Sequence, residues 1–396
     1  MTKVVAILGR QPALGLAELE SLFGAAAIQP LEQAAIIDNQ PDVFPMARLG
    51  GTIKAAKLLT TLPFTDWRKL TDYLVQHVPE HARDREPGKL TFGLSVYGLS
   101  VNPPAINATA LSVKKAVRAD GQRPVRVVPN TTAELNSAQV LHNRMTDGDL
   151  GMELLLVRDG AQTHLAQTFA VQDIDAYAAR DQARPKRDAR VGMLPPKLAQ
   201  IIVNLAVAQA QPHHDSMVYD PFCGTGVVLQ EAALMGFGIS GSDLEPRMVE
   251  YTDTNLQWLL RQPGNQNASH DYQLKVADAA RDDFPAMKFI AAETYLGRPF
   301  SALPKPAVLQ EVMRDVDTIH RKFLKNVRQQ VKPGMRLCIA VPAWKTPHGF
   351  KHLPTLDSLE EIGYTRISFV HTANGALVYH RPEQIVAREL VVLTKK

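Results

Sequence analysis

The stretch from Val218 to Asp243 constrains this chain more than any other. Val218-Tyr219-Asp220-Pro221-Phe222-Cys223-Gly224-Thr225-Gly226 is followed by a helix-like run and then by Gly238-Ile239-Ser240-Gly241-Ser242-Asp243. The pattern is strand, tight glycine turn, helix, strand, acid. A glycine pair directly after a short strand lets a ligand approach backbone that a Cβ would shield. An acid closing the next strand can accept hydrogen bonds from two ribose hydroxyls. Together these residues require a nucleoside-bearing ligand.

Two details choose among such ligands. A dinucleotide fingerprint places a third glycine three residues after the second, and position 229 is Leu. Asp220 stands at the mouth of the turn, where its charge repels a pyrophosphate and suits a cationic sulfonium with its α-amino group. The expected cofactor is S-adenosyl-L-methionine, held by Asp220, Phe222, Gly224, Thr225, Gly226, Asp243 and Leu244.

Around this stretch the chain alternates. Pro195-Pro196 opens a helix with Leu198, Ile201, Ile202 and Leu205 at helical spacing, so a third domain is expected over 195–396. Strands are expected at Met217–Phe222, Gly238–Ser242, Gln273–Ala277, Phe289–Ala292 and Met335–Val341. Helices are expected at Val227–Met235, Pro246–Leu260 and Ala307–Gln330, and the strands Thr365–His371 and Ile385–Leu393 close the domain. This order predicts an α/β fold built on a doubly wound parallel sheet, with ligands beyond the carboxyl ends of the strands. Asp220, Asp243, Asp278 and Glu293 all fall at such ends. Asp243 suits the ribose, Asp278-Ala279 the adenine amino group, and Glu293 is left for a second substrate. No Cys or His accompanies the four acids, so no metal is expected, and His213-His214-Asp215 reads as a polar loop at the opposite end of the sheet.

The first part of the chain reads as two smaller α+β units. In the first, over 1–65, Val4–Leu8 and Ala34–Ile37 are expected strands, and Leu16–Phe23 and Ala47–Thr61 amphipathic helices. In the second, over 66–173, Leu90–Tyr97 and Glu153–Val157 are expected strands and Ile106–Ala119 a helix with Lys114, Lys115 and Arg118 near its end. A linker over 174–194 contains Arg180 to Arg190, with five basic side chains against two acids, suited to an exposed connector along phosphates. The net charge of +4 permits a nucleic-acid partner without requiring one. Two cysteines in unrelated apolar contexts give neither a disulfide framework nor a metal quartet, and no long apolar run or signal-peptide core is present; a cytoplasmic location is expected.

With these residues in view, the chain resembles the THUMP-domain tRNA guanine-N2 methyltransferases, the archaeal and eukaryotic enzymes that modify the guanosine at the start of the D-arm. The resemblance rests on Ile7-Leu8-Gly9-Arg10, Leu49-Gly50-Gly51-Thr52-Ile53-Lys54, Phe92 to Gly98, Arg184-Pro185-Lys186-Arg187-Asp188, Gly192 to Ala199, Asp220 to Gly226, and Tyr379-His380-Arg381 through Arg388-Glu389. It implies a ferredoxin-like unit, a THUMP RNA-binding fold and a class I (Rossmann-like) methyltransferase acting on tRNA, with a small activating protein partner in some relatives. It also implies RNA contacts from Lys115, Arg126 and Asn136 and, in the connector, from Arg184, Lys186, Arg187 and Arg190.

One departure stands out. Such enzymes carry Asp-Pro-Pro-Tyr-Gly after the fourth strand, and here the stretch is Glu293-Thr294-Tyr295-Leu296-Gly297. A guanine exocyclic amine is a poor nucleophile because its lone pair is delocalised, and an acid accepting its hydrogens helps localise that pair. An aromatic residue stacks on the extruded base. The resemblance therefore implies catalytic roles for Glu293, Tyr295 and Gly297, with direct in-line transfer to nitrogen. Two other readings remain open at this stage: methylation of another base amine, DNA included, and a degenerate site in an RNA-binding protein.

Overall fold

The computed structural model describes every residue except 1, 84, 122, 147, 149, 189–192, 266–267 and 301. The chain divides into two compact units. The first comprises Met1–Pro12, Ala26–Ala47 and Thr52–Asp175; the second comprises Ala13–Ala25, Arg48–Gly51 and Ala176–Lys396.

The elements up to residue 178 are β1 (Val4–Leu8), α1 (Pro12–Phe23), β2 (Ile28–Pro30), β3 (Ala34–Ile37), β4 (Thr52–Leu62), α2 (Trp67–Arg83), β5 (Leu90–Tyr97), α3 (Pro103–Gly121), β6 (Val125–Val127), α4 (Ser137–His142), β7 (Gly151–Asp159), β8 (Gln162–Val171) and α5 (Ile174–Ala178). All eight strands join one sheet in the order β2-β3-β1-β4-β8-β7-β5-β6. Helix α2 buries Leu70, Leu74, Val78 and Ala82, one stripe at helical spacing, and packs with α3 over the face of β5 that carries Leu90, Phe92, Leu94 and Val96.

Two expectations are corrected here. Ala47–Thr61 is not a helix, since β4 lies in mid-sheet between β1 and β8, with backbone partners on both edges. The run Ala55-Ala56-Lys57-Leu58-Leu59 suits a helix intrinsically, but pairing on two sides overrides local preference. Nor does a boundary near residue 65 separate two sheets, because β4 pairs β8 and so ties the two expected N-terminal units into one. Helix α1 belongs for most of its length to the second unit, so the linear division at residues 65, 173 and 194 does not describe the packing.

The second unit adds α6 (Pro196–Val207), β9 (Val218–Asp220), α7 (Val227–Leu234), β10 (Ile239–Asp243), α8 (Pro246–Leu260), β11 (Tyr272–Val276), β12 (Phe289–Glu293), α9 (Pro306–Gln330), β13 (Arg336–Thr346), β14 (Gly349–Lys351), α10 (Leu359–Ile362), β15 (Tyr364–Arg366), β16 (Val378–Tyr379) and β17 (Val386–Lys395). The sheet runs β11-β10-β9-β12-β13-β17-β15. Strands β11 to β13 along this path are parallel, whereas β17 runs antiparallel to both β13 and β15. The two closing strands give the parallel sheet an antiparallel edge. No long helix links β15 to β17, which is sufficient for antiparallel neighbours and too little for a parallel crossover. The expected strand Thr365–His371 is also shorter, ending at Arg366.

Both faces of this sheet are covered. One core holds Ile202, Leu205, Leu229 and Ala291, and the other holds Ile290, Ala292, Phe323 and Leu324. Alternation along β12 therefore assigns each residue a face, which puts Thr294 on the α9 side and Glu293 on the other. No helix among the described residues is long and apolar enough to cross a membrane.

Candidate active site

The carboxyl ends of β9, β10 and β12 open onto a cavity of about 630 Å³. Asp220, Phe222, Gly224 and Thr225 line it from the first turn, Asp243 and Leu244 from the second, and Asp278 and Ala279 from the segment after β11. Glu293, Tyr295 and Gly297 line the same cavity from beyond β12. Gly226 does not reach the cavity. Its φ is +82°, and a Cβ there would stand 2.9 Å from Thr252 Cγ2, so only glycine turns the chain into α7 at this point. Leu229, where a dinucleotide site has its third glycine, is fully buried.

The turn is held by the acids themselves. Asp243 Oδ2 accepts the Gly224 N–H at 2.9 Å and Oδ1 accepts the Glu245 N–H at 3.0 Å. Each oxygen keeps a further lone pair for an incoming hydroxyl. Burial raises the Asp243 carboxyl above its usual range, against the pull of those backbone bonds. Asp220 is fully buried, and its Oδ1 accepts the Phe222 N–H at 3.0 Å. Burial, reinforced by the charges of Asp243 and Glu293, pushes its carboxyl well above the ordinary value. A buried acid of this kind lacks a counter-charge, and a cationic sulfonium or ammonium group supplies one. These residues fit an adenosyl sulfonium: hydroxyl acceptors at one end, an uncompensated carboxylate at the other. Asp278 Oδ1 accepts the Ala280 N–H at 2.9 Å, and Ala279 is buried beside it.

The segment after β12 is fixed from α9. Thr294 Oγ1 lies 2.6 Å from His320 Nε2, and His320 Nδ1 lies 2.8 Å from the Val316 carbonyl. Burial lowers the His320 pKa to about 4, so the ring is neutral. Its Nδ1–H donates to Val316, and its Nε2 accepts from the Thr294 hydroxyl. Gly297, at φ +82°, rests against Val316 and Val312, where a Cβ would be 3.0 Å from Val316 Cγ2. Thr294 is thus anchored by His320 and Gly297 by Val312 and Val316, three residues spaced four apart on one helix face. Tyr295 is about half exposed.

Glu293 is paired with Arg388 of β17, whose Nε donates to its Oε1. Among the described residues Glu293 Oε2 has no hydrogen-bond partner. Glu293 stands opposite Ala340 and Arg388 opposite Pro342 on β13, so both side chains share one sheet face and meet across that strand. Arg388 and Thr294 enter the sequence reading only as members of motifs, with no contact assigned to them, and His320 does not enter it at all. The available signal was Arg388-Glu389, two adjacent charges inside the otherwise apolar run of β17.

The expected nucleic-acid residues are scattered. Lys115 and Arg126 are exposed. Asn136 is exposed and caps α4, its side chain accepting the Gln139 N–H at 2.8 Å. The connector is less exposed than expected. Arg184 is buried, with Nε and Nη1 unsatisfied, and the Lys186 N–H and C=O are both clasped by the Asn255 amide at 2.9 Å. That clasp satisfies backbone groups a free connector would leave to water, and the burial of Arg184 sets it apart from the exposed cations expected along phosphates. Arg187 is exposed, and Arg190 lies outside the described residues. His213, His214 and Asp215 are exposed, with their ligand-type atoms within 4.8 Å of one another. Both cysteines are buried, and burial pushes their thiols up, Cys338 to about 12.

Residues 184–282, which contain the cofactor-type turn and both ensuing acids, match the family model described as UPF0020, RMKL-like, methyltransferase domain. TrmN from Thermus thermophilus superposes with a TM-score of 0.54 at 16% identity, covering 100% of both chains. The putative methyltransferase SMU.472, solved with SAH, gives 0.52 at 12%, covering 100% of this chain and 98% of that one. The fold is that of a class I methyltransferase. The chain is 30% identical over 168 residues to the tRNA (guanine(10)-N2)-dimethyltransferase of Methanothermobacter thermautotrophicus, 41% of this chain and 43% of that protein. It is 30% identical over 174 residues to the Pyrococcus abyssi protein of the same name, 43% of each. The chain thus spans less than half the length of these curated relatives.

Proposed function

We propose that this protein is an S-adenosylmethionine-dependent methyltransferase that modifies the exocyclic N2 amine of a guanosine in tRNA. The observation that carries the reading is the shared cavity: the turn residues, the acids Asp243 and Asp278, and the Glu293–Gly297 segment line one space. The curated relatives, whose names specify guanine N2 in tRNA, support the choice of base and of RNA. S-adenosylmethionine supplies the electrophilic methyl group when bound. Asp243 holds ribose hydroxyls, Asp278 and Ala279 the adenine edge, and Asp220 balances positive charge. Glu293 accepts hydrogen from the guanine edge, which localises the nitrogen lone pair, and Tyr295 offers a stacking face for an extruded base. With both thiols buried, transfer to nitrogen is direct, without a covalent enzyme intermediate. Lys115, Arg126, Asn136, Lys186 and Arg187 are the proposed RNA contacts.

The test is to incubate the purified full chain with cofactor and unmodified tRNA transcripts and to analyse the digested nucleosides by mass spectrometry. N2-methylated guanosine is the expected product. A different methylated base moves the target and keeps the chemistry, and methylation that needs added cell extract points to an activating protein. No methylation under either condition overturns the reading.

A further inference from the structure

Strand β13 does not stop where its parallel neighbour does. Ala340 stands opposite Glu293, the last residue of β12, and β13 continues in the same direction as far as Thr346. At about 3.3 Å per residue this carries the chain up to roughly 20 Å beyond the strand ends that open onto the cavity. There it folds back as a hairpin with β14, in which Trp344 pairs Lys351, Lys345 pairs Phe350 and Thr346 pairs Gly349. Thr346 closes the tip: its Oγ1 donates to the Gly349 carbonyl at 2.9 Å and accepts the His348 N–H at 3.3 Å. Lower down, Lys345 Nζ donates to the Pro382 carbonyl at 2.9 Å, and the Phe350 ring lies 5.2 Å from that of His380. The hairpin is therefore tied to segment 379–383, and the two form one pre-shaped projection.

Charges on a protruding hairpin often serve only to keep its edges from pairing with another chain. Here the balance is one-sided. Residues 345–352 and 379–383 hold Lys345, Lys351 and Arg381 against the single acid Glu383, together with three histidines. Of the acids from other segments, Asp357 is taken by His352 at 3.1 Å, and Asp181 acts on Arg381 from the connector. Lys351 is exposed and makes no ion pair among the described residues, and Arg381 is exposed with its Nε on the Tyr379 hydroxyl at 3.5 Å. Phe350 and His380 are half-buried, so each ring keeps some surface open to solvent. Resting on the function proposed above, we infer that the β13–β14 hairpin and segment 379–383 grip the RNA chain beside the target guanosine. Lys351 and Arg381 contact phosphates, and the Phe350–His380 pair offers ring surface to a flanking base. A base reaches the cavity only when it is extruded, so the chain that bears it must pass the carboxyl ends of the strands, where this projection stands. Cations interleaved with rings are the usual means of holding such a strand. An acidic protein surface would pair with the cations and leave the rings without a stacking partner.

The experiment compares the full-length wild type with K351A, R381A, the K351A/R381A double variant, F350L and K332A. Lys332 is also exposed but precedes β13, at the opposite end of that strand, and so controls for the general effect of charge. Binding of unmodified tRNA transcripts is followed by fluorescence anisotropy between about 50 mM and 200 mM salt. K351A and R381A should each weaken binding about 5- to 10-fold at the lower salt and reduce the salt slope by about one, while K332A stays within about twofold of wild type. F350L, which keeps an apolar side chain and removes the ring, should weaken binding about fivefold with the salt slope unchanged. In the charge variants KM for tRNA should rise, with kcat and cofactor affinity within about threefold of wild type. Wild-type affinity in the double variant overturns the inference, as do equal losses in K332A and the hairpin variants. Unchanged tRNA binding with loss of stimulation by cell extract also overturns it, because the surface then serves a protein. If the wild type binds tRNA through the hairpin but methylates no guanine, the proposed function fails and this surface stands. If it methylates guanine and the hairpin variants bind normally, the inference alone fails, and no tRNA binding by the wild type overturns both.

Discussion

Each unit of this protein contains a buried ion pair, and the two differ in how completely they are satisfied. In the first unit Lys54 of β4 meets Glu153 of β7, with side chains 1% and 0% exposed. Glu153 Oε1 also accepts from Ser95 Oγ at 2.6 Å, Oε2 accepts from Thr168 Oγ1 at 2.6 Å, and Lys54 Nζ donates to the Leu135 carbonyl at 2.7 Å. In the second unit Glu293 meets Arg388 through one oxygen and keeps the other for the cavity. A buried pair repays its desolvation only when its remaining hydrogen-bonding capacity is filled. The first is filled and closed, so it specifies how the sheet pairs. The second is left partly open at a strand end, where a substrate can complete it.

The sharpest way to break this comparison is to remove one partner on each side. Glu153→Ala leaves Lys54 as an unpaired buried charge and should cost about 3–5 kcal/mol of stability, read as a lowered unfolding midpoint for the first unit. Replacing the pair by K54M with E153L should recover most of that loss, because packed apolar residues substitute for a buried pair at little net cost. A double variant as unstable as Glu153→Ala would show that the pair is more than structural. Next in size, Glu293→Gln, whose amide oxygen can still accept from Arg388, should reduce methyl transfer about 100- to 1,000-fold, while the thermal midpoint stays near that of the wild type and the cofactor still binds. If Glu293→Gln unfolds the protein as Glu153→Ala does, the contrast between a closed and an open pair is wrong.

The same contrast explains what could be read from the chain. The cofactor end was legible because its signals are local: Asp220 to Gly226 and Gly238 to Asp243 each put turn, glycine and acid within a few residues. Helix α8 was legible for the same reason, with Pro246 at its start and one periodic apolar face. Strand β4 was not, since Ala55, Ala56, Leu58 and Leu59 are good helix formers and only β1 and β8, far off in sequence, make it a strand. Strand β8 and helix α2 escaped notice although α2 has a regular apolar stripe. At the site, Glu293 was placed by its strand end, but its partners were not. Arg388 is 95 residues away and His320 is 26 residues from Thr294. Nothing in the spacing of such residues announces a contact that the sheet order and the packing of α9 create.

The smallest of these effects concerns a third buried polar contact, in which no charge is held at all. His320 is neutral in the folded protein, with its pKa lowered to about 4 by burial, whereas in the unfolded chain it titrates near the ordinary value of about 6.5. Between those values the unfolded state binds more protons, so the histidine's contribution is complete above about pH 6.5 and is lost as pH falls toward about 4. The loss approaches about 3 kcal/mol at the lower end. Glu18 opposes it over part of the range. Its carboxyl is raised to about 7 by burial, against hydrogen bonds from Asn204, Gly50 and Gly51. The folded state therefore holds that proton while the unfolded chain has released it, and stability falls as pH rises toward about 7. Separating the two requires a difference measurement. Unfolding of the wild type and of His320→Gln by urea at about pH 7.5 and about pH 5 should show the wild type losing more stability on acidification than the variant. Equal losses would mean that His320 is solvated or charged in the folded protein, and the anchoring of the Glu293–Gly297 segment by α9 would then need another origin.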